Sequence, residues 1–352
     1  MSKPRLAIVG CGYWGQNLLR NFAALGDMEV RTVCDFDLGT LARVKRRYPA
    51  VELEPDYRDV LSDARIDAVA IATPASTHYP FARKALVAGK HVLVEKPMTT
   101  TSAQAIELIE LAEKRGKVLM VDHTFVYTGA VRFLKSMVAQ RELGELLYFD
   151  SVRISLGLVQ SDLNVLWDLG AHDFSVLDYL CDRDPVAVAA TGARHLNSLF
   201  ENIAYVSAEF NSKLIAHFHL NWLSPVKVRR VLLGGSRKMT IWDDLETSEK
   251  VKIYGKGPAL EHGAGSREKL LAGYQNGDMV APNLETGEAL ARVARDFAGA
   301  VIERRAPVAD GHAGYRVVRL LEAAQRSITQ NGRPVELSSL YRTPAKAVQL
   351  SQ

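Results

Sequence analysis

The sequence predicts an α/β protein with two domains: an N-terminal domain built on a doubly wound parallel sheet, and a C-terminal α+β domain built on a large, mostly antiparallel open sheet. Two observations predict this fold. The chain of 352 residues is longer than one hydrophobic core usually accommodates. Its apolar pattern also changes after the first third, so we place the boundary near His123 and expect domains of residues 1–123 and 124–352.

In the first third, short apolar runs alternate with helical patterns. Strands that are apolar along their whole length are typical of a parallel sheet covered by helices on both faces. The predicted strands cover residues 6–9, 30–35, 68–73, 91–95 and 118–122. Their alternation with helices predicts the doubly wound topology.

In the rest of the chain, strand-like segments follow one another at short spacing. Short turns between strands favour antiparallel pairing. Strands are predicted at residues 146–156, 187–193, 203–210, 213–222, 228–233, 239–243 and 250–254, and helices at residues 166–180, 285–303 and 314–330. An open sheet of this size needs cover on its far face, so we expect the protein to form a homo-oligomer.

Composition and charge are ordinary for a globular protein of the cytoplasm. Hydrophobic residues make up 47% and charged residues 24% of the chain, and the net charge is +4. Because Lys and Arg are scattered among Asp and Glu, nucleic acid is not the expected partner. No apolar run has the length of a signal peptide core or a membrane span. We therefore expect a cytoplasmic protein that is neither exported nor membrane-spanning.

Neither the cysteines nor the histidines predict a metal site. Cys11, Cys34 and Cys181 are widely spaced and belong to no C-x-x-C motif, which argues against both a zinc site and a disulfide framework. His217 and His219 share one face of a predicted strand, but no third ligand accompanies them. We expect both imidazoles to be ordinary residues of the sheet.

Gly10, Gly12 and Gly15 form a G-x-G-x-x-G motif between the first predicted strand and a helical stretch. In this motif the first glycine permits a tight turn, the second lets the backbone approach a pyrophosphate, and the third allows close helix packing. The start of the helix adds N–H groups and a positive dipole. The motif therefore predicts a dinucleotide-binding Rossmann domain, with Tyr13 and Trp14 as further candidate cofactor contacts.

Asp35 ends the strand that follows the glycine motif, about twenty residues after Gly15. At this point a carboxylate can accept hydrogen bonds from the ribose hydroxyls of adenosine. The same carboxylate repels a 2′-phosphate, and no arginine follows at positions 36 and 37. A glycine-rich turn without a ligand is the alternative for an isolated motif, but here strand, helix and acid agree. We therefore predict NAD in preference to NADP.

Two further motifs carry a resemblance to a known family. Glu95, Lys96 and Pro97 stand at the end of the fourth predicted strand, and the segment from Trp167 to His172 reads Trp-Asp-Leu-Gly-Ala-His. On these motifs the chain resembles the glucose-fructose oxidoreductase, inositol dehydrogenase and MocA family (Gfo/Idh/MocA) over essentially its whole length. The resemblance implies an NAD(P)-dependent dehydrogenase that acts on CH–OH groups and forms homo-dimers or homo-tetramers.

The resemblance also implies which residues contact the cofactor. Thr73, Pro74 and His78 match the family's cofactor-contacting segment, and Glu95 matches its contact to the nicotinamide ribose. The peptide bond after Lys96 is expected to be cis, an isomer that X-Pro bonds tolerate, and to direct the ammonium group at the substrate. A structural role at the start of a helix is the alternative for His78.

Lys96, Asp168 and His172 are the predicted catalytic residues and also candidate substrate contacts. Lys96 lies at the carboxyl end of a parallel strand, where open α/β sheets bind ligands, although a solvated surface cation is the ordinary role of a lysine. Asp168 and His172 are four residues apart, so a helix places them on one face. The spacing alone fits a helix N-cap and a core histidine equally well.

Oxidation of a secondary alcohol requires a group that accepts the hydroxyl proton while hydride leaves the carbon atom. An imidazole with a reference pKa near 6.5 suits this role, whereas a lysine with a reference pKa near 10.4 is normally cationic and stabilises the developing alkoxide. We therefore predict His172 as the general base, Lys96 as its electrostatic partner and Asp168 as the residue that orients either. Burial can depress the pKa of a lysine, so the reverse assignment stays open.

Four other residues are weaker candidates. Asn164 is a candidate substrate contact, and Trp167 either lies along the nicotinamide or fills the domain interface. Lys227 and Arg229 share a strand face and either reach a diphosphate or remain solvated. Their interpretation depends on the substrate.

The predicted function is reversible hydride transfer between NAD and a secondary hydroxyl of a sugar or sugar nucleotide. Residues 220–225, with Asp243, Asp244 and Tyr254, are similar to the sugar-nucleotide 3-dehydrogenase branch of the family, which implies C3 of a UDP-N-acetylhexosamine or its uronic acid. The alternatives are an inositol or free-sugar dehydrogenase or keto-sugar reductase of the same fold, and a non-catalytic nucleotide-sensing regulator. Retention of the whole catalytic set argues against the regulator.

Overall fold

The computed structural model describes residues 3–156, 162–181, 183–255, 258–260, 272–274 and 277–340. Strands and helices alternate from residue 5 to residue 121, as predicted. These elements are β1 (Arg5–Val9), α1 (Tyr13–Ala23), β2 (Glu29–Cys34), α2 (Leu38–Arg47), β3 (Glu52–Glu54), α3 (Tyr57–Ser62), β4 (Ala68–Ile71), α4 (Ala75–Val87), β5 (His91–Val94), α5 (Ser102–Arg115) and β6 (Leu119–Val121).

The first sheet is parallel throughout, with the strand order β3-β2-β1-β4-β5-β6. The chain moves outward from β1 in one direction and from β4 in the other, so the order reverses between these two central strands. In open α/β sheets, ligands bind at this reversal, beyond the carboxyl ends of the strands. The loops after β1, β4 and β5 therefore define the expected site.

Burial explains why the apolar runs form central strands. The side chains of β4, and of β1 from Leu6 to Val9, are almost completely buried, because helices cover both faces of the sheet. Polar side chains begin the flanking helices: Asp37 caps α2 and Thr101 caps α5 by accepting hydrogen bonds from backbone N–H groups. The first helix, α1, has no side-chain cap, so no side chain accepts hydrogen bonds from its first N–H groups.

The second part of the chain forms a mixed sheet with helices on one face. A 3₁₀ turn (Thr124–Tyr127) leads into α6 (Gly129–Ala139) and β7 (Leu146–Ile154), and a π-helical turn (Leu166–Gly170) leads into α7 (Ala171–Leu180). The remaining elements are β8 (Ala187–Ala193), β9 (Ile203–Glu209), β10 (Ile215–Asn221), β11 (Val228–Gly235), β12 (Met239–Asp243), β13 (Val251–Tyr254), β14 (Pro258–Leu260), β15 (Ala272–Tyr274), β16 (Met279–Val280), α8 (Ala289–Glu303), α9 (Gly311–Thr329), β17 (Val335–Glu336) and a 3₁₀ turn (Leu337–Leu340).

The second sheet has the strand order β16-β13-β12-β11-β7-β10-β9-β8-β17. Its pairs are antiparallel except for β7 and β10, which run parallel, so the prediction of a large, mostly antiparallel sheet is confirmed. Phe149 and Phe218 point from its inner face into the core beneath α7 and α9. On the other face Tyr205 stacks on His219 with ring centroids 4.6 Å apart.

The hydrophobic core around the first sheet is not built from the N-terminal part of the chain alone. Although α8 follows the second sheet in sequence, it lies against α1, and Phe297 meets Phe22 with ring centroids 6.1 Å apart. The next helix, α9, spans both parts: Tyr315 packs into the core of the first sheet, and Leu321 into the core of the second. Two late helices thus complete and join the two cores.

Some differences from the predicted elements have simple causes. The helix predicted over residues 166–180 begins with the π-helical turn, which a 3.6-residue periodicity does not distinguish from an α-helix. The strands β3, β16 and β17 have two or three residues and carry no periodic signal of their own. Within the described ranges, no helix is long and apolar enough to span a membrane.

Replacing Phe297 by Ala should destabilise the protein by about 3–5 kcal/mol, because its fully buried ring fills the contact between α8 and the first sheet. Urea denaturation measures the change. The matched control is Ile302→Ala on the same helix, where the side chain is 48% exposed and the expected change is below about 0.5 kcal/mol. Equal effects of the two substitutions would contradict the packing of α8.

Candidate active site

The loop between β1 and α1 has the shape that a phosphate-binding loop requires. Gly10 has a φ of +82°, and a Cβ atom on Gly15 would lie 1.9 Å from the carbonyl oxygen of Gly10. A Cβ atom on Gly12 would meet no atom within 4 Å. Because Gly12 is the N-cap of α1, the first N–H groups of this helix lie without a side-chain cap beside open space. The loop therefore fits the diphosphate of a dinucleotide.

Side chains around this loop fit the rest of NAD. The Asp35 carboxylate accepts hydrogen bonds from the backbone N–H of Cys11 at 2.7 Å and of Asp37 at 2.9 Å. It stays partly exposed, and each oxygen has a second lone pair for a ribose hydroxyl. Tyr13 and Trp14 are exposed beside the loop, with their rings edge to face at 5.4 Å.

The segment after β4 is held by a buried histidine. His78 is 1% exposed; its Nε2 lies 2.8 Å from the carbonyl oxygen of Thr73, and its Nδ1 lies 2.7 Å from that of Pro97. Neither ring nitrogen is left for a cofactor, so the geometry favours the structural alternative for His78. The imidazole ties Thr73 and the exposed Pro74 to the turn at Lys96, whose peptide bond to Pro97 is cis, as the resemblance implies.

Lys96 and Asp168 form an ion pair between the two sheets. The ammonium nitrogen of Lys96 lies 2.8 Å from Oδ1 of Asp168 and 2.9 Å from its backbone carbonyl oxygen. The Lys96 side chain is 10% exposed and that of Asp168 is 16% exposed. The buried Trp222, at the end of β10, donates a hydrogen bond from Nε1 to Oδ2 of Asp168 at 3.3 Å. Lys96 and Trp222 therefore fix the position of the Asp168 carboxylate.

His172 lies near this ion pair, at the start of α7. Burial and, next, the positive charge of Lys96 lower its pKa well below the usual range. The imidazole is therefore neutral at physiological pH. Phe125 packs edge to face against its ring, with centroids 4.9 Å apart. Within the described part of the chain, no group hydrogen-bonds to Nδ1 of His172.

Two arginines approach the same aromatic ring. The guanidinium of Arg153 lies 4.4 Å and that of Arg229 lies 5.1 Å from the centroid of Phe125. Arg153 is buried and pairs with Asp173 at 2.7 Å, whereas Arg229 is partly exposed and pairs with Asp244 at 2.7 Å. Their charges are further causes of the lowered pKa of His172.

Behind Lys96 lie two buried carboxyl groups, Glu95 and Asp122. Glu95 and Asp122 interact with each other, and two adjacent buried carboxyl groups do not both ionise. Burial and the neighbouring Asp122 raise the pKa of Glu95 well above its usual range. Thr124 donates a hydrogen bond to Asp122 at 2.7 Å, which favours Asp122 as the charged member. Of the two, Glu95 is therefore the group whose protonated form is favoured.

Two other predicted site residues, Asn164 and Trp167, make contacts that indicate a structural role. The Asn164 side chain donates to Glu201 at 2.8 Å and to Gln325 at 2.6 Å, and its Oδ1 accepts the backbone N–H of Trp167 at 3.1 Å. Its amide group is thus engaged by the protein rather than presented to a substrate. Trp167 packs against the hydrophobic cores of both parts, which favours the interface role.

The structure adds residues that were not predicted. Trp222 belongs to a segment that was noted only for its similarity to one branch of the family. Asp122 and Phe125 were not predicted as site residues. A signal existed for Arg153: it alternates with Phe149 and Ser151 on β7, so the period-2 pattern places a charge on the core side of a strand. Among the described residues, no cluster of His, Cys, Asp and Glu is arranged to hold a metal ion.

Comparison with known proteins identifies the family. Residues 4–123 match the model of an oxidoreductase family with an NAD-binding Rossmann fold, GFO/IDH/MocA, and residues 131–240 match the C-terminal domain of the same family. The chain belongs to the Gfo/Idh/MocA family. It is an NAD-dependent oxidoreductase, in agreement with the predicted fold, cofactor and enzyme class.

The chain is similar to individual members of the Gfo/Idh/MocA family over different shares of its length. UDP-N-acetylglucosamine 3-dehydrogenase of Acidithiobacillus ferrooxidans is 29% identical over 331 residues, which cover 90% of this chain and 95% of that enzyme. A structure of that enzyme has a TM-score of 0.80 at 25% identity and covers 94% of this chain and 99% of its own. A dTDP-3,4-didehydro-2,6-dideoxy-alpha-D-glucose 3-reductase of Saccharopolyspora spinosa is 30% identical over 48% of this chain and 52% of its own.

Substitutions at the glycine loop should separate folding from NAD binding. Gly12→Ala should leave the stability within about 1 kcal/mol of wild type, since its Cβ meets no atom, but should weaken NAD binding at least about tenfold by occupying the phosphate space. Gly15→Ala should disrupt the loop itself. Calorimetric NAD titration and thermal unfolding check both, with Gly26→Ala, a position with open space outside the loop, as the control. Unchanged NAD affinity in Gly12→Ala would contradict the assignment.

Proposed function

We propose that this oxidoreductase transfers hydride reversibly between NAD and a secondary hydroxyl of a sugar nucleotide, at C3 of a UDP-N-acetylhexosamine or its uronic acid. The observation that supports the chemistry is the ion pair of Lys96 and Asp168 beside the neutral imidazole of His172. These groups lie where the carboxyl end of β5 meets α7. One group of this set accepts a proton and another holds a positive charge.

His172 is the proton acceptor in this proposal. An uncharged imidazole has a free lone pair, so it accepts the hydroxyl proton without first losing one of its own. The low pKa ensures that nearly every molecule carries the accepting form at neutral pH. Bound NAD supplies the hydride acceptor. Proton transfer to His172 and hydride departure from the same carbinol together convert the alcohol into a ketone.

Lys96 holds the substrate oxygen. Its ammonium group has three donors, and two are directed at Asp168, to Oδ1 and to the carbonyl oxygen. The third can be directed at the reacting oxygen, where a positive charge stabilises the developing alkoxide. Asp168 orients the lysine, and Trp222 in turn fixes Asp168. These contacts support the proposed division of roles.

Charge near Phe125 supports an anionic substrate. The partly exposed Arg229 lies close to Phe125, whose ring packs on His172. A phosphate or carboxylate on the sugar could therefore pair with this guanidinium while the reacting hydroxyl lies at His172. The 95% coverage of UDP-N-acetylglucosamine 3-dehydrogenase supports the nucleotide and the position of oxidation. The 3-reductase of Saccharopolyspora spinosa supports a second candidate, reduction of a keto-sugar nucleotide at the same position.

A substrate panel tests the proposal. Purified protein with NAD should form NADH, followed by absorbance under single-turnover conditions, with UDP-N-acetylhexosamines or their uronic acids and not with free sugars or inositols. Lys96→Ala should lower this rate at least about a hundredfold while the Kd for NAD stays within about threefold. The control is Lys84→Ala, an exposed lysine of α4, which should behave as wild type. NADH formation with inositols alone would replace the substrate, and none with any compound would overturn the proposed function.

The pH dependence distinguishes the two candidate bases. Because the neutral form of His172 is the active one, the oxidation rate should be present above its folded pKa and should fall as pH drops through it. That pKa is lowered well below the usual value near 6.5, so the acid limb of kcat/KM should lie below the pH expected for an ordinary histidine. His172→Asn should lower kcat at least about a hundredfold and remove this limb. Near-normal turnover of His172→Asn would assign the base to Lys96 instead.

A further inference from the structure

We propose that His123 carries the proton of the oxidised alcohol away from His172 and into a polar cavity between α6, α7 and α9, from which it reaches solvent. This inference rests on the proposed function, since it takes His172 as the proton acceptor. In the reducing direction the same path would supply the proton. It gives a role to a buried histidine that the hydride-transfer site itself does not use.

His123 is an unusual buried group. It follows β6, is 2% exposed, and has both ring nitrogens buried without a hydrogen-bond partner among the described residues. The Nδ1 atom of the nearby His172 is in the same condition. A buried polar atom without a partner is unfavourable, and proteins usually satisfy such atoms with ordered water. We therefore expect water molecules between and beyond the two rings, hydrogen-bonded to these three imidazole nitrogens.

A cavity of about 250 Å³ provides the room for such water. His123 lines its inner wall, and Ser175, Asp178 and Arg316 contribute polar groups. A water molecule occupies about 30 Å³ in the liquid, so the cavity has space for several. Val308, which is 48% exposed, lies on the cavity lining and connects it to the surface.

The helix α7 links this cavity to the catalytic site. Ser175 comes three residues after His172 and donates a hydrogen bond to its backbone carbonyl oxygen at 2.6 Å. Asp178, one turn further, pairs with Arg316 of α9 at 2.5 Å. His172 thus stands at the start of a helix whose next turns line the cavity, and His123 lies where cavity and site approach each other.

The charges around His123 favour a relay rather than a store of protons. Burial, followed by the charges of Lys96 on the catalytic side and Arg316 on the cavity side, lowers the pKa of His123 to about 3. Asp178 and the cavity-lining Lys135 are the other charged groups facing this space. A neutral imidazole has one N–H donor and one lone pair, so it can accept a proton at one nitrogen and release one from the other.

The proton balance is complete. In the oxidation, the carbinol C–H bond breaks and its electron pair leaves with the hydride to NAD, while the O–H proton binds one nitrogen of His172. His172 returns to its neutral form by releasing a proton from Nδ1. His123 accepts that proton at one nitrogen and releases another into the water of the cavity. One proton reaches solvent for each NADH formed. Both histidines end uncharged but with the N–H on the opposite ring nitrogen, so each must return to its starting tautomer before the next turnover.

The decisive experiment uses His123→Ala and a stopped-flow comparison of NADH absorbance with proton release, followed by a pH indicator dye in weak buffer. In wild type the two signals should coincide. In His123→Ala proton release should lag and kcat should fall about tenfold at an unchanged Kd for NAD, and added imidazole should restore most of the rate by entering the vacated space. His312→Ala, a histidine outside this cavity, should show neither loss nor rescue.

A second variant tests the path without touching the buried histidine. Val308→Trp should obstruct the cavity and lower kcat several-fold, whereas Ile302→Trp, equally 48% exposed but outside the cavity lining, should not. If His123→Ala does not fold, this pair decides. Coincident signals at wild-type kcat in His123→Ala, a loss that imidazole does not rescue, or an unaffected Val308→Trp would each overturn the proposal. Absence of NADH in wild type would instead overturn the proposed function.

Discussion

Lys96 and Asp168 join the two sheets by an ion pair, and the rest of the catalytic edge is arranged around it. Both side chains are largely buried, so each charge would be left uncompensated without the other, at a cost of about 3–5 kcal/mol. Trp222 and the backbone carbonyl of Asp168 hold the pair in place. The same contact therefore sets the alignment of the two parts and the position of the positive charge that the chemistry requires.

The charge of Lys96 also contributes to the protonation states of its neighbours. Burial, and next the charge of Lys96, lower the pKa of His172 and of His123, whereas burial raises the pKa of Glu95 and of Asp122 beside the lysine. One cation, two neutral imidazoles and two carboxyl groups with raised pKa values are thus packed at the carboxyl ends of β5 and β6. Such an arrangement places proton donors and acceptors in known states before a substrate arrives, which is the preorganisation that electrostatic catalysis needs.

The sequence predicted most of this fold because its signals are local. The apolar runs of β1, β4 and β5, the glycine motif and the Glu95-Lys96-Pro97 triplet each lie within a few consecutive residues. What it could not predict depends on contacts between distant segments. Asn164 looked like a substrate contact, but its amide is engaged by Glu201 and Gln325; the return of α8 to the first sheet and the pairing of Glu95 with Asp122 are equally non-local.

The motif Asp-x-Gly-x-His illustrates how a local pattern acquires its meaning from the fold. Spacing predicted an α-helix with Asp168 and His172 on one face, yet the segment opens with a π-helical turn, a feature frequent at functional sites. In this turn the Asp168 carbonyl oxygen accepts a hydrogen bond from Lys96 as well as the carboxylate. A Cβ atom on Gly170 would lie 3.1 Å from Leu220, so glycine lets the turn pack on β10, close to Trp222. The aspartate pairs with the lysine, the glycine permits the approach, and the histidine follows where the regular helix begins.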